Sequence, residues 1–300
     1  MENLPADYFL TSQQFTPHNR TAPYPSIDPT NPANSLAGKV AIITGASRGL
    51  GGEGLIPVFA TAGVKGLVLV ATNAEKLKLI ESSVKKAHPQ IETLVIAADV
   101  SNSASVDSLF AQVKAKFGHA SILVNNAAVL TGGGLLHEED PSKWWKNFEV
   151  NAMGGFLLVR GFIRALPEPT STPASIVHIA TGAWNVVPSM SGYLLSKLAA
   201  LQLSTNIGVA YPNITSVSLN PGLMDTGMLL DMFRPFHQDT PEFVASVALW
   251  LTSEKAKFLN GRLVVVNWDV DELVEKKDEI LEKDLLKIKF GADLGAEQFH

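Results

Sequence analysis

Residues 39–51 read KVAIITGASRGLG, and the fold is decided there. VAIIT (40–44) is short, apolar and β-branched, which suits a strand buried on both faces. Gly45, Gly49 and Gly51 then crowd one turn, and a helix-like stretch runs on to about Ala62. Glycines here permit a tight turn and let a phosphate reach backbone N–H groups, while the helix N-terminus adds a favourable dipole. A glycine-rich turn between a strand and a helix reads as a nucleotide site. Its spacing differs from the commoner Gly-x-Gly-x-x-Gly fingerprint. Pro57 lies inside the helix and, lacking a backbone donor, predicts a kink.

The same alternation continues outward. GLVLVA (66–71), ETLVIAAD (92–99), ASILVNNAA (120–128), ASIVHIA (174–180), ITSVSLN (214–220) and RLVVVN (262–267) read as strands. Helical stretches at 74–87, 105–117, 141–166, 189–210 and 241–253 separate most of them. Apolar strands alternating with helices predict an α/β fold, a single doubly wound parallel sheet of about seven strands with helices on both faces. Crossovers of this length are right-handed.

The flanks differ in composition. Residues 1–36 read as an extended arm, because Pro23, Pro25, Pro29 and Pro32 prevent a regular helix through its second half. Two readings stay open: a mobile tail, or an arm laid on the domain by Tyr8, Phe9, Leu10 and Phe15. Past the domain at 37–268, residues 269–300 read as a charged helix and tail. DELVEKKDEILEKDLLKIK (271–289) carries Leu273, Ile280, Leu281, Leu285 and Ile288 at roughly helical spacing, predicting a solvated helix with one apolar edge.

Composition narrows the function. The net charge of −5 argues against nucleic acid or an anionic membrane surface as the main partner. The absence of cysteine excludes disulfides, thiolate nucleophiles and cysteine-based metal sites. The seven histidines show no metal-ligand spacing, and His178 falls on a strand as a core residue, so no metal is expected. No secretory signal or membrane-length apolar run is apparent, and a soluble cytoplasmic protein is the expectation.

SMSGYLLSKLAAL (189–201) carries the chemistry. Tyr193 and Lys197 are four apart, one turn over the other on a helix face. A free Tyr titrates near pH ~10. A neighbouring cation favours the phenolate and brings it toward use as a general acid/base. Alone, the pair fits a surface helix equally well.

Four stretches in order settle the choice: Thr44–Gly51, Asn125–Ala128 (NNAA), Tyr193–Lys197 and Asn220–Thr226 (NPGLMDT). Over residues 37–267 they resemble the short-chain dehydrogenase/reductase family, with its Rossmann-type fold, and YPSIDPTNP and NWDVDEL resemble its fungal members. The resemblance implies an NAD(P)-dependent oxidoreductase passing hydride between nicotinamide and a carbonyl or alcohol. Tyr193 would exchange the proton, and Lys197 would lower the Tyr pKa and hold the nicotinamide ribose. Thr181 would orient the substrate carbonyl where the family commonly has Ser, and Asn151 would support a proton relay. Gly45, Ser47, Arg48, Gly49, Leu50 and Gly51 would cradle the cofactor phosphates. Asp99 and Val100 would meet adenine, Asn125 would fix the central strands, and Pro221, Gly222 and Thr226 would hold the carboxamide end.

At the end of the second strand, Thr72 stands where an acid would favour NAD, and Arg48 is placed to meet a 2′-phosphate. NADP is therefore the expected cofactor, with NAD possible. Trp184 and the apolar run Met224, Met228, Leu229, Leu230, Met232 and Phe233 suggest a hydrophobic small-molecule substrate, or else the run packs on the core or a partner subunit. The family's habit implies a homo-oligomer, dimer or tetramer, through the helices at 141–166 and 189–210. A cofactor-binding regulatory or scaffolding protein without turnover, and a non-redox isomerase or cyclase on the same fold, are the alternatives.

Overall fold

The computed structural model describes residues 4–183, 185–289 and 291. The arm enters through a short helix, α1 (Tyr8–Thr11), and two 3₁₀ turns at Pro25–Ile27 and Pro32–Asn34. The chain then alternates β1 (Val40–Thr44), α2 (Ile56–Thr61), β2 (Gly66–Ala71), α3 (Ala74–Ala87), β3 (Glu92–Ala97), α4 (Ser103–Phe117) and β4 (Ile122–Asn125). Next come α5 (Pro141–Asn147), α6 (Gly155–Ala165), β5 (Ala174–Ile179), α7 (Ser191–Ala210), β6 (Ile214–Asn220), α8 (Pro241–Trp250) and β7 (Leu263–Val265). Two helices, α9 (Val270–Glu275) and α10 (Lys277–Glu282), follow.

The seven strands form one parallel sheet in the order β3-β2-β1-β4-β5-β6-β7, so the expected α/β doubly wound fold is the one observed. Order reverses between β1 and β4, and the crevice beyond their carboxyl ends is where such sheets bind ligands. Both faces are covered, which is why β1, β2 and β6 read as continuous buried runs. One apolar layer lies under α2 and α8 with Phe59, Phe243 and Trp250. The other lies under α4 and α6 with Phe110, Leu158 and Phe162.

Two helices begin with a wide turn. Leu50–Leu55 is π-helical before α2, and Phe148–Gly154 is π-helical between α5 and α6. The kink expected at Pro57 takes this form: the helix changes from π to α geometry just before it, so the bond Pro57 cannot donate falls where the ladder spacing changes.

The arm is laid on the domain. Arg20 N–H bonds the Asn267 carbonyl at 2.7 Å, its side chain meets Asp269 at 2.6 Å, and the Tyr24 hydroxyl accepts from Val270 N–H at 2.8 Å. The single helix expected over 271–289 is not formed. After α10, Asp284 and Leu286 take positive φ (46° and 64°). This reversal lets the Leu286 carbonyl accept from Leu263 N–H at 2.9 Å on the edge of β7, and Asp284 meets Arg262 at 3.1 Å. Leu273 and Ile280 are buried, whereas Leu281 and Ile288 face solvent. The tail beyond residue 291 lies outside the described residues.

Gly54 fixes the approach of the first helix to α8. A Cβ there would stand 2.2 Å from the Pro241 carbonyl oxygen, which is backbone and cannot step aside cheaply. Ala is the better helix former by about 1 kcal/mol, yet Gly54→Ala should destabilise the fold by about 1–3 kcal/mol through overpacking. Urea denaturation checks it; a stabilised variant would show that the two helices are free to separate.

Candidate active site

One cleft of about 840 Å³ lies over the carboxyl ends of the strands. Its far end holds Thr72, Asp99 and Val100, its middle the glycine turn with Ser47, Arg48, Gly49 and Leu50, and its near end Thr181, Tyr193 and Lys197. Pro221, Gly222 and Thr226 line the same space. Gly51, Asn125 and Asn151 do not; they sit behind it.

The glycine turn is held by contact. Gly45 has φ +66°, and a Cβ on it would lie 2.7 Å from the Asn126 side chain. Asn126 is the residue that sequence reading missed. Its Nδ2 donates to the Thr44 carbonyl at 2.8 Å, and its backbone N–H donates to the Thr44 hydroxyl at 3.0 Å. Asn125 instead points across the sheet to His178, with 3.4 Å between Nδ2 and Nδ1. Alternation along a strand sends neighbours to opposite faces. Of the two asparagines in NNAA, the second therefore ties β1 to β4 beside the cleft. Glu53 was missed too: its carboxylate accepts from Gly49 N–H at 3.0 Å, a first-turn acid at the helix N-terminus.

Asn151 is buried in the π turn between α5 and α6. Its Oδ1 accepts from Val129 N–H at 2.9 Å, and its Nδ2 donates to the Val129 carbonyl at 2.9 Å and to Ser196 Oγ at 3.0 Å. It thus braces the loop after β4 against α7, the helix that carries Tyr193. Asp99 is occupied locally, accepting from the Ser101 hydroxyl at 2.6 Å and N–H at 2.9 Å, which holds its pKa down.

Lys197 is buried and donates to the Ile179 carbonyl at 2.7 Å, at the end of β5. Its Nζ lies 5.9 Å from the Tyr193 ring centroid. Burial pushes the ammonium from 10.5 down to about 8 and pushes Tyr193 from 10.0 up to about 12, while a hydrogen bond with Thr181 pulls the phenol the other way. In the free protein, desolvation outweighs the help expected from the cation. His178, buried between Asn125 and Ser216, is pushed down to about 4 by burial and stays neutral as a core residue.

Pro221-Gly222 is clamped by the buried Asp239. Its Oδ2 accepts from Leu223 N–H at 2.9 Å, and its Oδ1 accepts from Asn267 Nδ2 at 2.7 Å. Gly222, at φ +66°, is required because a Cβ would stand 2.1 Å from Asp239. In the loop beyond, Met224, Met228, Leu229, Leu230 and Phe233 line the cleft, whereas Met232 is exposed. Trp184 lies outside the described residues. No group of three or more metal-ligating side chains occurs among the described residues, and no described helix is long and apolar enough to cross a membrane.

The family model for short chain dehydrogenases matches residues 39–235. This chain belongs to that family. The short chain dehydrogenase pigC of Monascus ruber is 34% identical over 300 residues and 95% of each chain. Among solved structures, a 3-ketoacyl-(acyl-carrier-protein) reductase from Brucella melitensis, complexed with NADH, is 29% identical with a TM-score of 0.69 over 77% of this chain and 98% of its own. A short chain dehydrogenase from Burkholderia cenocepacia, in complex with NADP, shares the fold at 22% identity, with a TM-score of 0.70 over 79% of this chain and 99% of its own. The fungal resemblance read from the sequence is thus met by a fungal relative, and this short chain dehydrogenase is an oxidoreductase of a family that binds NAD(P).

The lysine leaves a signature in stability. Between about pH 8 and 10.5 the unfolded chain holds a proton on Lys197 that the folded chain has released, so stability rises with pH there. The raised Tyr193 pKa acts in the opposite sense only above about 10. In urea titrations between about pH 8 and 10, wild type should gain up to about 3 kcal/mol relative to Lys197→Met. A constant difference would show that the ammonium is solvated.

Proposed function

We propose that this protein is an NADP-dependent reductase or dehydrogenase acting on a small apolar carbonyl or the matching alcohol, with Tyr193 as general acid/base. The carrying observation is that Tyr193, Lys197 and Thr181 share one cleft with the glycine turn. A dinucleotide is supported by a cleft that reaches from Thr72 and Asp99, past the glycine turn where a helix begins, to Tyr193. When bound, the cofactor supplies or accepts the hydride.

The chain's own residues do the rest. Thr181 and Tyr193, which line the same cleft, would both meet the substrate oxygen. Tyr193 would move the proton to or from it, and Thr181 would fix its direction. Lys197 has three donors, of which Ile179 takes one, leaving two for ribose hydroxyls. A nearby charge that favours the phenolate would then offset burial. Asn151 would act from behind, fixing α7 and the loop after β4. Asp99 would serve the adenine end, and Pro221, Gly222 and Thr226 the carboxamide end.

NADP is favoured over NAD because Thr72 brings no acid to the cleft, while Arg48 is exposed beside it. Self-association is favoured by Trp145, Met153 and Phe156, apolar side chains exposed along α5, the π turn after it and α6.

Two experiments test this. Tyr193→Phe, assayed with NADPH and a panel of aromatic and aliphatic ketones, should lose about 10²–10⁴-fold in turnover and keep cofactor affinity. Unchanged turnover would sink the mechanism. Cofactor binding without turnover in wild type would favour a regulatory or scaffolding protein, and turnover without change in nicotinamide absorbance an isomerase or cyclase. Arg48→Gln should weaken NADPH about 10–100-fold and leave NADH nearly untouched; equal effects on both would point to NAD.

A further inference from the structure

The cleft has a wall that the family model does not cover, because it comes from the arm, N-terminal to residue 39. Phe9, Leu10 and Gln13 all line it. Phe9 stands edge-on to Phe233 (centroids 5.6 Å apart) and to Phe236 (5.2 Å). It packs on the small apolar cluster of Met190, Leu194 and Phe233, against which Tyr193 also packs.

This stretch is pinned at several points. The Trp268 indole donates to the Gln13 carbonyl at 2.6 Å, Gln238 Nε2 donates to the Ala6 carbonyl at 3.1 Å, and Asn220 Nδ2 donates to Gln13 Oε1 at 2.8 Å. The last bond orients the Gln13 amide. Its Nε2 turns toward Gly182, 3.6 Å from where a Cβ on that residue would sit, one residue beyond Thr181. Among the described residues this Nε2 has no hydrogen-bond partner. An oriented amide donor thus lines the cleft near the apolar Phe9 cluster, in a polar group by Gly182 that includes the Asn185 and Asn220 amides. Such a donor selects for a ligand oxygen, because a ligand without one leaves it unpaired.

We propose that the arm residues Phe9 and Gln13 determine substrate choice, selecting an apolar, ring-bearing carbonyl compound with a second oxygen that accepts a hydrogen bond from Gln13 Nε2. Phe9 supplies the apolar face and Gln13 the polar contact, while Tyr193 and Thr181 hold the reacting oxygen; the proposal rests on the redox reading above for that last role.

The probes are α-tetralone and its ring-hydroxylated isomers, titrated calorimetrically into full-length protein saturated with NADPH and assayed for turnover. Gln13→Glu keeps the acceptor for Asn220 and removes the free donor. It should weaken the best-bound hydroxylated isomer about 10-fold or more and change α-tetralone less than about 3-fold. Phe9→Ala should weaken both kinds of ligand by about 10-fold, with NADPH affinity unchanged. Equal effects of Gln13→Glu on all tetralones, no effect of Phe9→Ala, or no binding of any tetralone to wild type would overturn the proposal. Binding that responds to Gln13 without any nicotinamide turnover would sink the redox reading and keep the wall. Turnover indifferent to Gln13 and Phe9 would do the reverse.

Discussion

The site hangs on one buried hydroxyl. Thr44, at the end of β1, donates to the Val124 carbonyl at 3.3 Å and accepts from Asn126 and Ala127 N–H at 3.0 and 2.9 Å. It thereby joins β1 to β4 at the point where strand order reverses. Sheets open a crevice at such a point because the chain leaves the two central strands in opposite directions. Left free, the backbone there would carry unpaired N–H and C=O groups beside the cleft. Thr44 and Asn126 satisfy them, and so the crevice keeps its shape. The glycine turn is positioned against the same asparagine.

From that crevice the chemistry depends on burial as much as on charge. Lys197 is fixed to the end of β5 and Tyr193 projects from the turn before it on α7. Both are dehydrated, so each is driven toward its neutral form. With its pKa raised by burial, the Tyr193 phenol holds its proton more tightly than a free Tyr does. A positive charge entering the cleft would favour the phenolate and ease release of that proton. The free protein therefore stores the pair in a form that a bound ligand would retune.

Much of this was legible in residues that are both chemically special and locally placed. The parallel sheet followed from alternating apolar runs, and the cleft from glycines at a strand end. What stayed hidden was non-local or a matter of which way a strand residue faces. Asn125 and Asn126 are identical in chemistry, and only the pleat decides which meets Thr44. Asp239 lies in a polar stretch, HQDT, with no local hint that Gly222 packs on it. The charged, periodic sequence of 271–289 says nothing of the β7 edge, which is why a single helix is expected there and two short ones form. There, Leu263 offers an N–H that outcompetes helix continuation.

The arm joins these strands of argument. Its Arg20 carbonyl accepts from Asn267 at 2.9 Å, and the same Asn267 side chain donates to Asp239, which holds Leu223. A segment joined to the sheet by no ladder is thus connected to the Pro221-Gly222 turn through two side chains. Its Pro-rich half forms two short 3₁₀ turns but no regular α-helix and so can follow the surface, with few backbone donors left to satisfy. Composition gave no direction to that path. The direction comes from Trp268 and Asp269, just past the last strand, which capture Gln13 and Arg20. The arm and the segment just past the last strand therefore meet beside the cleft, which Gln13 and Asn267 both line.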